Sequence, residues 1–182
     1  MGRIKQLLPL RNEPALTFCL NRILSAGIID IIVVLGHHRE KIVPLLADMP
    51  VAVAVNRDPE SQMSDSLQAG LDLLPHGVSG IMVGLADHPL VLSSSYRLLS
   101  RQHERYPHHI LIPTYGGRGG HPTLFPAAHL SRGAHVKPMN RIIAECPSSV
   151  LRLPIDDPGV STDMDCFRDY QHLASLAEKE KE

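Results

Sequence analysis

Three aspartates in two distant segments have the residue type and spacing that could bind a divalent cation. Asp87 follows the apolar run "SGIMVGLA", and Pro89 prevents that run from continuing as a regular strand. Asp163 and Asp165 alternate in "STDMDC", so their carboxylates face the same way if the segment is extended. Mg²⁺ binds through one or two carboxylates together with phosphate oxygens. Carboxylates from the two segments would therefore clamp the metal ion of a nucleoside triphosphate.

Each of these carboxylates also has a structural interpretation. Asp87 would serve as a turn residue or as the cap of the next helix. Ser93 stands nearer that helix and is the better cap, which favours the metal-binding interpretation of Asp87. Asp165 immediately precedes an expected helix from Phe167, and here the sequence leaves the choice between helix cap and metal ligand open.

Glycines surround a single arginine in "YGGRGGHPTLF", from Tyr115 to Phe125. Glycine permits positive φ angles and lets backbone N–H groups approach an anion, and the Arg118 guanidinium could close over a phosphate. The alternative interpretation is a hairpin between the strands "ILIPTY" and "PTLF". The two interpretations are compatible, because a hairpin at the carboxyl ends of the strands can act as a lid over a bound ligand.

Segments of two kinds are expected to position these residues. Apolar runs with the composition of buried strands cover residues 29–36, 51–56, 79–87, 108–115 and 150–156. Helices are expected over residues 14–26, 40–46, 65–74, 94–105 and 167–176. Strands that alternate with helices predict an α/β fold with a mainly parallel sheet and helices on both faces. Ligands of such folds bind beyond the carboxyl ends of the strands, where Asp87 and the glycine-rich loop lie.

The bulk composition narrows the classes of function. A chain of 182 residues with 43% hydrophobic and 20% charged residues is expected to form one globular domain, residues 1–182. A formal net charge of −1 gives no reason to expect a surface that binds nucleic acid or a membrane, and no apolar run approaches the roughly 20 residues that span a bilayer. Three widely spaced cysteines favour free thiols in a reduced, cytoplasmic setting.

The ordered set of segments resembles the molybdenum-cofactor nucleotidyltransferases, in particular their molybdopterin cytidylyltransferase-like branch. In chain order the segments are "MGRIKQLLPL", "VVLG", "NRDPESQMSDSLQAGL", "LADHPLV", "PTYGGRGGHPTLF" and "DDPGVSTDMDCFRDY". The resemblance extends from the first residue to about Leu173. It implies a Rossmann-like, GT-A-type nucleotidyltransferase domain. The implied reaction transfers a nucleoside monophosphate, usually CMP from CTP, to the terminal phosphate of molybdopterin and releases pyrophosphate.

The resemblance also implies roles for individual residues. Lys5 corresponds to the lysine that contacts the triphosphate, and Asp87 to the catalytic, metal-binding aspartate. Asp165 and Asp163 correspond to further metal-binding carboxylates. The segment beside the nucleotide contains Ser64 and Ser66, and the loop that borders the pterin contains Arg118, Gly120, His121 and Pro122. The implied cofactor is Mg²⁺, and the implied partners are CTP or GTP, a molybdopterin-type substrate and a molybdoenzyme.

The first residues correspond to the second half of the family's phosphate-binding motif. In the family, a strand and a glycine-rich loop with an arginine precede the Met-Gly pair that stands here at Met1 and Gly2. Loss of one such phosphate donor typically costs about 100- to 1000-fold in rate, so the chain as given is expected to be poorly active. Two alternatives stay open: a non-catalytic cofactor- or partner-binding relative, and a nucleotidyltransferase for a sugar or alcohol phosphate.

Overall fold

The computed structural model describes residues 4–58, 62–130 and 136–179. The helices in this part of the chain are α1 (Ala15–Ser25), α2 (Arg39–Leu46), α3 (Met63–Leu71), α4 (Ser93–Arg105), α5 (Met139–Glu145) and α6 (Phe167–Lys179). Its strands are β1 (Pro9–Leu10), β2 (Glu13–Pro14), β3 (Ile32–Leu35), β4 (Ala52–Val55), β5 (Gly80–Val83), β6 (Ile110–Tyr115), β7 (Arg118–Gly119), β8 (Thr123–Pro126) and β9 (Val150–Pro154). Among the described residues, no helix combines the length and the apolar character that a membrane crossing requires.

The larger of the sheets is mixed. Its strands pair in the order β5–β8–β6–β7, and β9 pairs with β6. The β6–β9 pair is parallel, and β8 is antiparallel to both β5 and β6. It follows that β5, β6 and β9 run in one direction. Their carboxyl ends, at Val83, Tyr115 and Pro154, therefore lie at one edge of the sheet.

The β ladder is interrupted between β3 and β5. Within the described residues, β3 pairs in parallel with β4 alone, and β5 pairs with β8 alone. Helix α1 packs on one face of β3 and on β5, through two apolar clusters that contain Leu20 with Val33 and Ile23 with Met82. Helix α3 covers the opposite face of β3 and also packs on β5. These two helices therefore hold the sheets side by side.

The α/β architecture predicted from the sequence is confirmed. The observed strands β3, β4, β5, β6 and β9 all lie within the predicted segments. Each strand is shorter than its predicted segment, and β5 ends at Val83 rather than reaching Asp87. The last ladder pair is Val83 with Thr123, and the residue before Thr123 is Pro122, which has no N–H group to extend the ladder. Helix α5, with seven residues, is too short to show a clear periodicity and was not predicted.

A buried carboxylate joins the segments at the carboxyl ends of the strands. The Asp157 side chain is 1% exposed. Its Oδ2 atom accepts hydrogen bonds from the Leu92 N–H at 2.9 Å and from the Ser95 hydroxyl at 2.6 Å. Its Oδ1 atom accepts a hydrogen bond from the Gly159 N–H at 2.9 Å. Asp157 therefore lies at the N-terminus of α4, where the positive end of the helix dipole favours a carboxylate.

The prediction that Ser93 caps α4 is wrong. The Ser93 hydroxyl donates a hydrogen bond to the Arg22 carbonyl of α1 at 2.8 Å. The carboxylate at this helix N-terminus comes from Asp157, which is 65 residues away from Leu92 along the chain. Sequence proximity cannot identify a cap that tertiary packing supplies.

Two glycines allow the segment after Asp157 to pack closely on its neighbours. A Cβ atom on Gly159 would lie 2.5 Å from the Leu90 carbonyl oxygen. A Cβ atom on Gly120 would overlap the carbonyl of Val160. Both neighbours are backbone atoms, which cannot move aside as a flexible side chain would. The close approach of these backbones therefore requires glycine at both positions.

We expect Gly159→Ala to lower the free energy of unfolding by about 1–3 kcal/mol, because the added methyl group overlaps fixed backbone. The matched control is Gly36→Ala, where a Cβ atom would meet no atom within 4 Å. Urea denaturation of both variants measures the difference. Equal denaturation midpoints for the two variants would show that the Gly159 contact does not constrain the fold.

Candidate functional site

A cavity of about 660 Å³ opens beside the turn that follows β5. It is lined by Ile4, Lys5, Gln6, His38, Lys41, Met63, Leu85, Ala86 and Asp87. Cavities of roughly 300–1000 Å³ suit small-molecule ligands. This one places two lysines and a carboxylate among apolar walls, so it suits an anionic ligand that is bound together with a cation.

Asp87 lies half-buried in the turn after β5. Its Oδ1 atom is buried and has no hydrogen-bond partner among the described residues. The N-terminus of the next helix is bound by Asp157, so the capping interpretation does not account for Asp87. A buried carboxylate oxygen without a donor is unfavourable unless a cation or another ligand satisfies it. The residue therefore fits a divalent cation, for which carboxylate oxygens are preferred ligands.

Lys5 links Asp165 to the cavity. Lys5 Nζ lies 2.7 Å from Asp165 Oδ1, and the Lys5 side chain also lines the cavity with Asp87. The two side chains of this ion pair are 29% and 69% exposed, so the pair contributes little to stability. The ion pair instead holds the segment that contains Asp163 and Asp165 at the same end of the sheet as Asp87.

The side chain of Asp169 binds the backbone at the N-terminus of α6. Asp165 therefore does not cap this helix. Asp169 Oδ2 accepts hydrogen bonds from the Asp165 N–H at 3.1 Å and the Cys166 N–H at 2.6 Å. Hydrogen bonds from the side chain and backbone of Cys166 hold the pKa of Asp169 below its usual value. The Asp165 carboxylate is thus available to Lys5 and to a cation.

Asp163 and Asp165 alternate as predicted. Both are exposed, whereas Met164 between them is completely buried. In the described part of the chain, no group of three or more His, Cys, Asp or Glu side chains lies close enough to share a metal ion. Asp87, Asp163 and Asp165 therefore do not form a complete set of metal ligands by themselves. A cation held by one or two of them would take its other ligands from water and phosphate, as Mg²⁺ prefers.

The glycine-rich segment forms a hairpin. Thr114 pairs with Gly119 and Tyr115 pairs with Arg118, so β6 and β7 enclose a turn of two glycines with φ angles of 56° and 80°. Arg118 is exposed at this hairpin and is not among the residues that line the cavity. Gly120 and Pro122 are buried at the base of the hairpin. The structure thus places the predicted lid residues beside the site rather than inside the cavity.

His121 connects the hairpin with the neighbourhood of Asp87. The rings of His121 and His88 are 5.2 Å apart between centroids, and the His121 ring is hydrogen-bonded to the Val83 backbone. Burial, together with the neighbouring His88, holds the pKa of His121 below its ordinary value of 6.5. The His121 imidazole is therefore neutral at physiological pH and adds no positive charge next to Asp87.

The predicted nucleotide segment lies at the start of α3. Met63, its first residue, lines the cavity, and Ser64 is half-buried in the same turn. Ser66 Oγ accepts a hydrogen bond from Asn56 Nδ2 at 3.1 Å. The Asn56 bond orients the serine-bearing turn relative to the end of β4.

Two further residues of the cavity wall lie beyond the end of β3. His38 precedes α2 in a left-handed conformation with φ of 64°, and Lys41 lies on the first turn of α2. Both line the cavity with Lys5 and Asp87. The rule that ligands bind at strand ends predicts a site near His38, three residues after β3, whereas Lys41 was missed because it belongs to no recognisable motif.

The sequence pattern of the MobA-like NTP transferase domain matches residues 1–162. Among solved structures, the chain is similar to Rv0371c of Mycobacterium tuberculosis H37Rv, with 27% identity and a TM-score of 0.81 over 96% of this chain and 91% of that one. A complex of Rv0371c with manganese gives 25% identity and a TM-score of 0.78, over 96% and 93% of the two chains. A nucleotidyl transferase from Methanothermobacter has 22% identity and a TM-score of 0.78, over 96% and 85%, and shares the fold.

A curated relative matches over a shorter stretch. The bifunctional protein GlmU of Mycolicibacterium paratuberculosis is 34% identical over 94 residues, which are 48% of this chain. The matched stretch is only 19% of GlmU, so the chain spans about a fifth of that relative's length. With the solved structures, this match confirms the predicted nucleotidyltransferase fold.

We expect the NMR titration of the His121 ring to have its midpoint below pH 6.5, because burial disfavours its charged form. The unfolded chain then binds more protons than the folded one just below pH 6.5, so this residue makes stability fall as pH is lowered through that range. His121→Gln identifies the signal and should remove this part of the pH dependence. A midpoint at or above 6.5 would contradict the burial argument.

Proposed function

Because the chain belongs to the family of MobA-like NTP transferase domains, we propose that it transfers CMP from CTP to the terminal phosphate of a molybdopterin-type cofactor and releases pyrophosphate. Nucleotidyl transfer as a class follows from the family and the fold. The base and the acceptor are the proposed part, and they rest on the sequence resemblance. The observation that carries the site assignment is the cavity shared by Lys5, Lys41 and Asp87.

Charge is the main requirement of this reaction. A triphosphate and a phosphorylated acceptor bring several anionic oxygens together, and catalysis of phosphoryl transfer is largely positioning and charge neutralisation. Lys5 and Lys41 line the cavity from two different elements, so they can contact phosphate oxygens from two sides. Lys5 Nζ already binds the Asp165 carboxylate, and a phosphate oxygen would compete for the same donors.

Asp87 and Asp165 are the residues that would hold the divalent cation, with Asp163 next to them. When bound, such a cation neutralises phosphate charge and orients the triphosphate. The unpartnered Oδ1 atom of Asp87 supports this assignment. The manganese complex of Rv0371c, a similar protein, supports a divalent cation as the cofactor of this chain, for which we propose Mg²⁺.

The protein needs no covalent nucleophile. An oxygen of the acceptor's terminal phosphate forms a bond to the α-phosphorus, and the bond from that phosphorus to the bridging oxygen of the β-phosphate breaks. Pyrophosphate leaves with the electron pair of the broken bond. Ser64 and Ser66 lie beside the nucleotide in this proposal, and the acceptor lies beside a loop of Arg118, Gly120, His121 and Pro122.

The product of this reaction would be delivered to a molybdoenzyme in the cytoplasm. The His121 ring is hydrogen-bonded to the Val83 backbone and can orient the acceptor. Because the ring is neutral, it does not compete with the cation and the lysines for the charge of the triphosphate. The exposed Arg118 at the hairpin supplies a guanidinium for an acceptor phosphate.

A second candidate function is nucleotide or cofactor binding without turnover. The side chains that line the cavity, Lys5, Lys41 and Asp87, favour it, because they can bind a triphosphate and its cation without catalysing a reaction. The two candidates agree on the cavity and differ only in catalysis. Turnover measurements therefore separate them.

We expect CTP to bind in the presence of Mg²⁺, and Asp87→Ala to weaken that binding about tenfold or more, because it removes a ligand of the cation. Asp48→Ala is the matched control, since Asp48 is an exposed carboxylate beyond the far end of α2. Isothermal titration calorimetry compares the three proteins. Identical CTP affinities for the wild type and Asp87→Ala would count against the site.

We expect pyrophosphate release only when a molybdopterin-type acceptor is present, and fastest with CTP among the four nucleoside triphosphates. A coupled pyrophosphate assay with molybdopterin, a sugar 1-phosphate and no acceptor tests this. Pyrophosphate release with the sugar 1-phosphate but not with molybdopterin would show that the acceptor is a sugar phosphate. Binding of CTP without any release would favour the non-catalytic function.

A further inference from the structure

We propose that Asp157 is a positioning residue for the divalent-cation site, because it ties together the two chain segments that carry Asp87 and Asp165. This inference rests on the proposed function, since that function gives the two aspartates their role. The proposal assigns Asp157 no contact with substrate or cation. Its effect is exerted through the backbone segments that it joins.

The first segment is joined through its backbone five residues after Asp87. The Leu92 N–H donates to Asp157 Oδ2 at 2.9 Å, and the Ser95 hydroxyl donates to the same atom at 2.6 Å. Leu90 and Val91, which lie between Asp87 and Leu92, are 4% and 1% exposed. A short buried connection leaves little freedom between the anchored residue and Asp87.

The second segment is joined directly after Asp157. Gly159 donates its N–H to Asp157 Oδ1 at 2.9 Å and lies against the Leu90 carbonyl. Further along, Val160 and Met164 are both completely buried, and Met164 immediately precedes Asp165. The position of Asp165 is therefore fixed by buried anchors that begin at Asp157.

A third chain segment is attached to the same point. The Val160 carbonyl accepts a hydrogen bond from the His121 N–H at 2.7 Å. Gly120 packs so closely on Val160 that no side chain would fit. The segments that carry Asp87, His121 and Asp165 thus all meet around one buried carboxylate.

A carboxylate is required because three donors point at two oxygen atoms. An asparagine has one acceptor oxygen and one NH₂ group, so the NH₂ group would face a donor in either orientation. Asp157→Asn therefore keeps the shape of the side chain but breaks at least one attachment. Ser95→Ala is milder, because it removes one donor and leaves the carboxylate and both backbone bonds in place.

The experiment measures Mn²⁺ affinity by electron paramagnetic resonance, with and without CTP, well below the melting temperature of each variant. We expect Asp157→Asn to weaken Mn²⁺ binding about 10-fold or more, the range found when a residue that orients metal ligands is changed. The control is Ile142→Ala, a core variant on α5 that lowers stability elsewhere in the fold. It should leave the Mn²⁺ affinity within about twofold of wild type, because it leaves the metal-ligand segments in place.

Hydrogen exchange followed by mass spectrometry tests the coupling without metal. Asp157→Asn should raise exchange in residues 84–92 and in residues 157–165 together, beyond the increase seen in Ile142→Ala. If Asp157→Asn does not fold, Ser95→Ala replaces it in both experiments. We expect Ser95→Ala to lower the Mn²⁺ affinity by about two- to fivefold, because it removes only one of the three hydrogen bonds to Asp157.

The outcomes are distinguishable. An unchanged Mn²⁺ affinity in a folded Asp157→Asn variant, or faster exchange in only one segment, would overturn the positioning role. Absence of Mn²⁺ and CTP binding in the wild type would overturn the proposed function, and the exchange experiment would still decide whether Asp157 couples the two segments.

Discussion

Four carboxylates follow strands β5 and β9 of the mixed sheet, and the need to compensate their charge is the constraint on which this end of the molecule depends. Each is compensated in a different way. Asp157 is buried and accepts three hydrogen bonds, while Asp165 is paired with Lys5 at 2.7 Å. Asp163 is exposed to solvent, where water screens its charge. Of these four carboxylates, only that of Asp87 has a buried oxygen without a partner among the described residues, which is why a cation is needed most at that position.

The positive charges of the site come from outside the mixed sheet. Lys5 belongs to a short 3₁₀ turn, and Lys41 belongs to α2, which follows β3. Asp87 belongs to the turn after β5. The cavity is therefore assembled from both sides of the interrupted ladder, with the acidic group on one side and a lysine on the other. An anionic ligand that contacts both sides would add an attraction that the β ladder does not supply there.

Much of the fold was readable from the sequence because its signals are local. The β-branched run that contains β3 and the helical spacing of Leu16 and Leu20 each specify an element within a few residues. The alternation of Asp163 and Asp165 was also local, and the buried Met164 between them confirms it. The same reasoning failed for Ser93, because the carboxylate at that helix N-terminus is 65 residues away from Leu92, whose N–H it binds.

The site itself was only partly readable, for the same reason. Asp87 was found from its place after an apolar run, whereas the role of Lys5 came only from resemblance to a known set of segments. Lys41 was missed because its place in the cavity depends on how α2 packs against β3, which no short motif encodes.

The interrupted ladder determines where the fold depends on side chains rather than on backbone pairing. A continuous sheet would fix β3 relative to β5 through hydrogen bonds that are largely independent of sequence. Here that relation depends on α1 and α3, whose apolar residues contact both strands. Packing of this kind is strong in total but tolerates small shifts more readily than a ladder does. Lys41 lies on the β3 side and Asp87 on the β5 side, so such shifts change the width of the cavity directly. The buried polar contacts around Asp157 fix only the β5 side, because all three of their donors belong to segments after β5. The positions of Asp87 and Asp165 are therefore set independently of Lys41, which lies on the β3 side of the cavity.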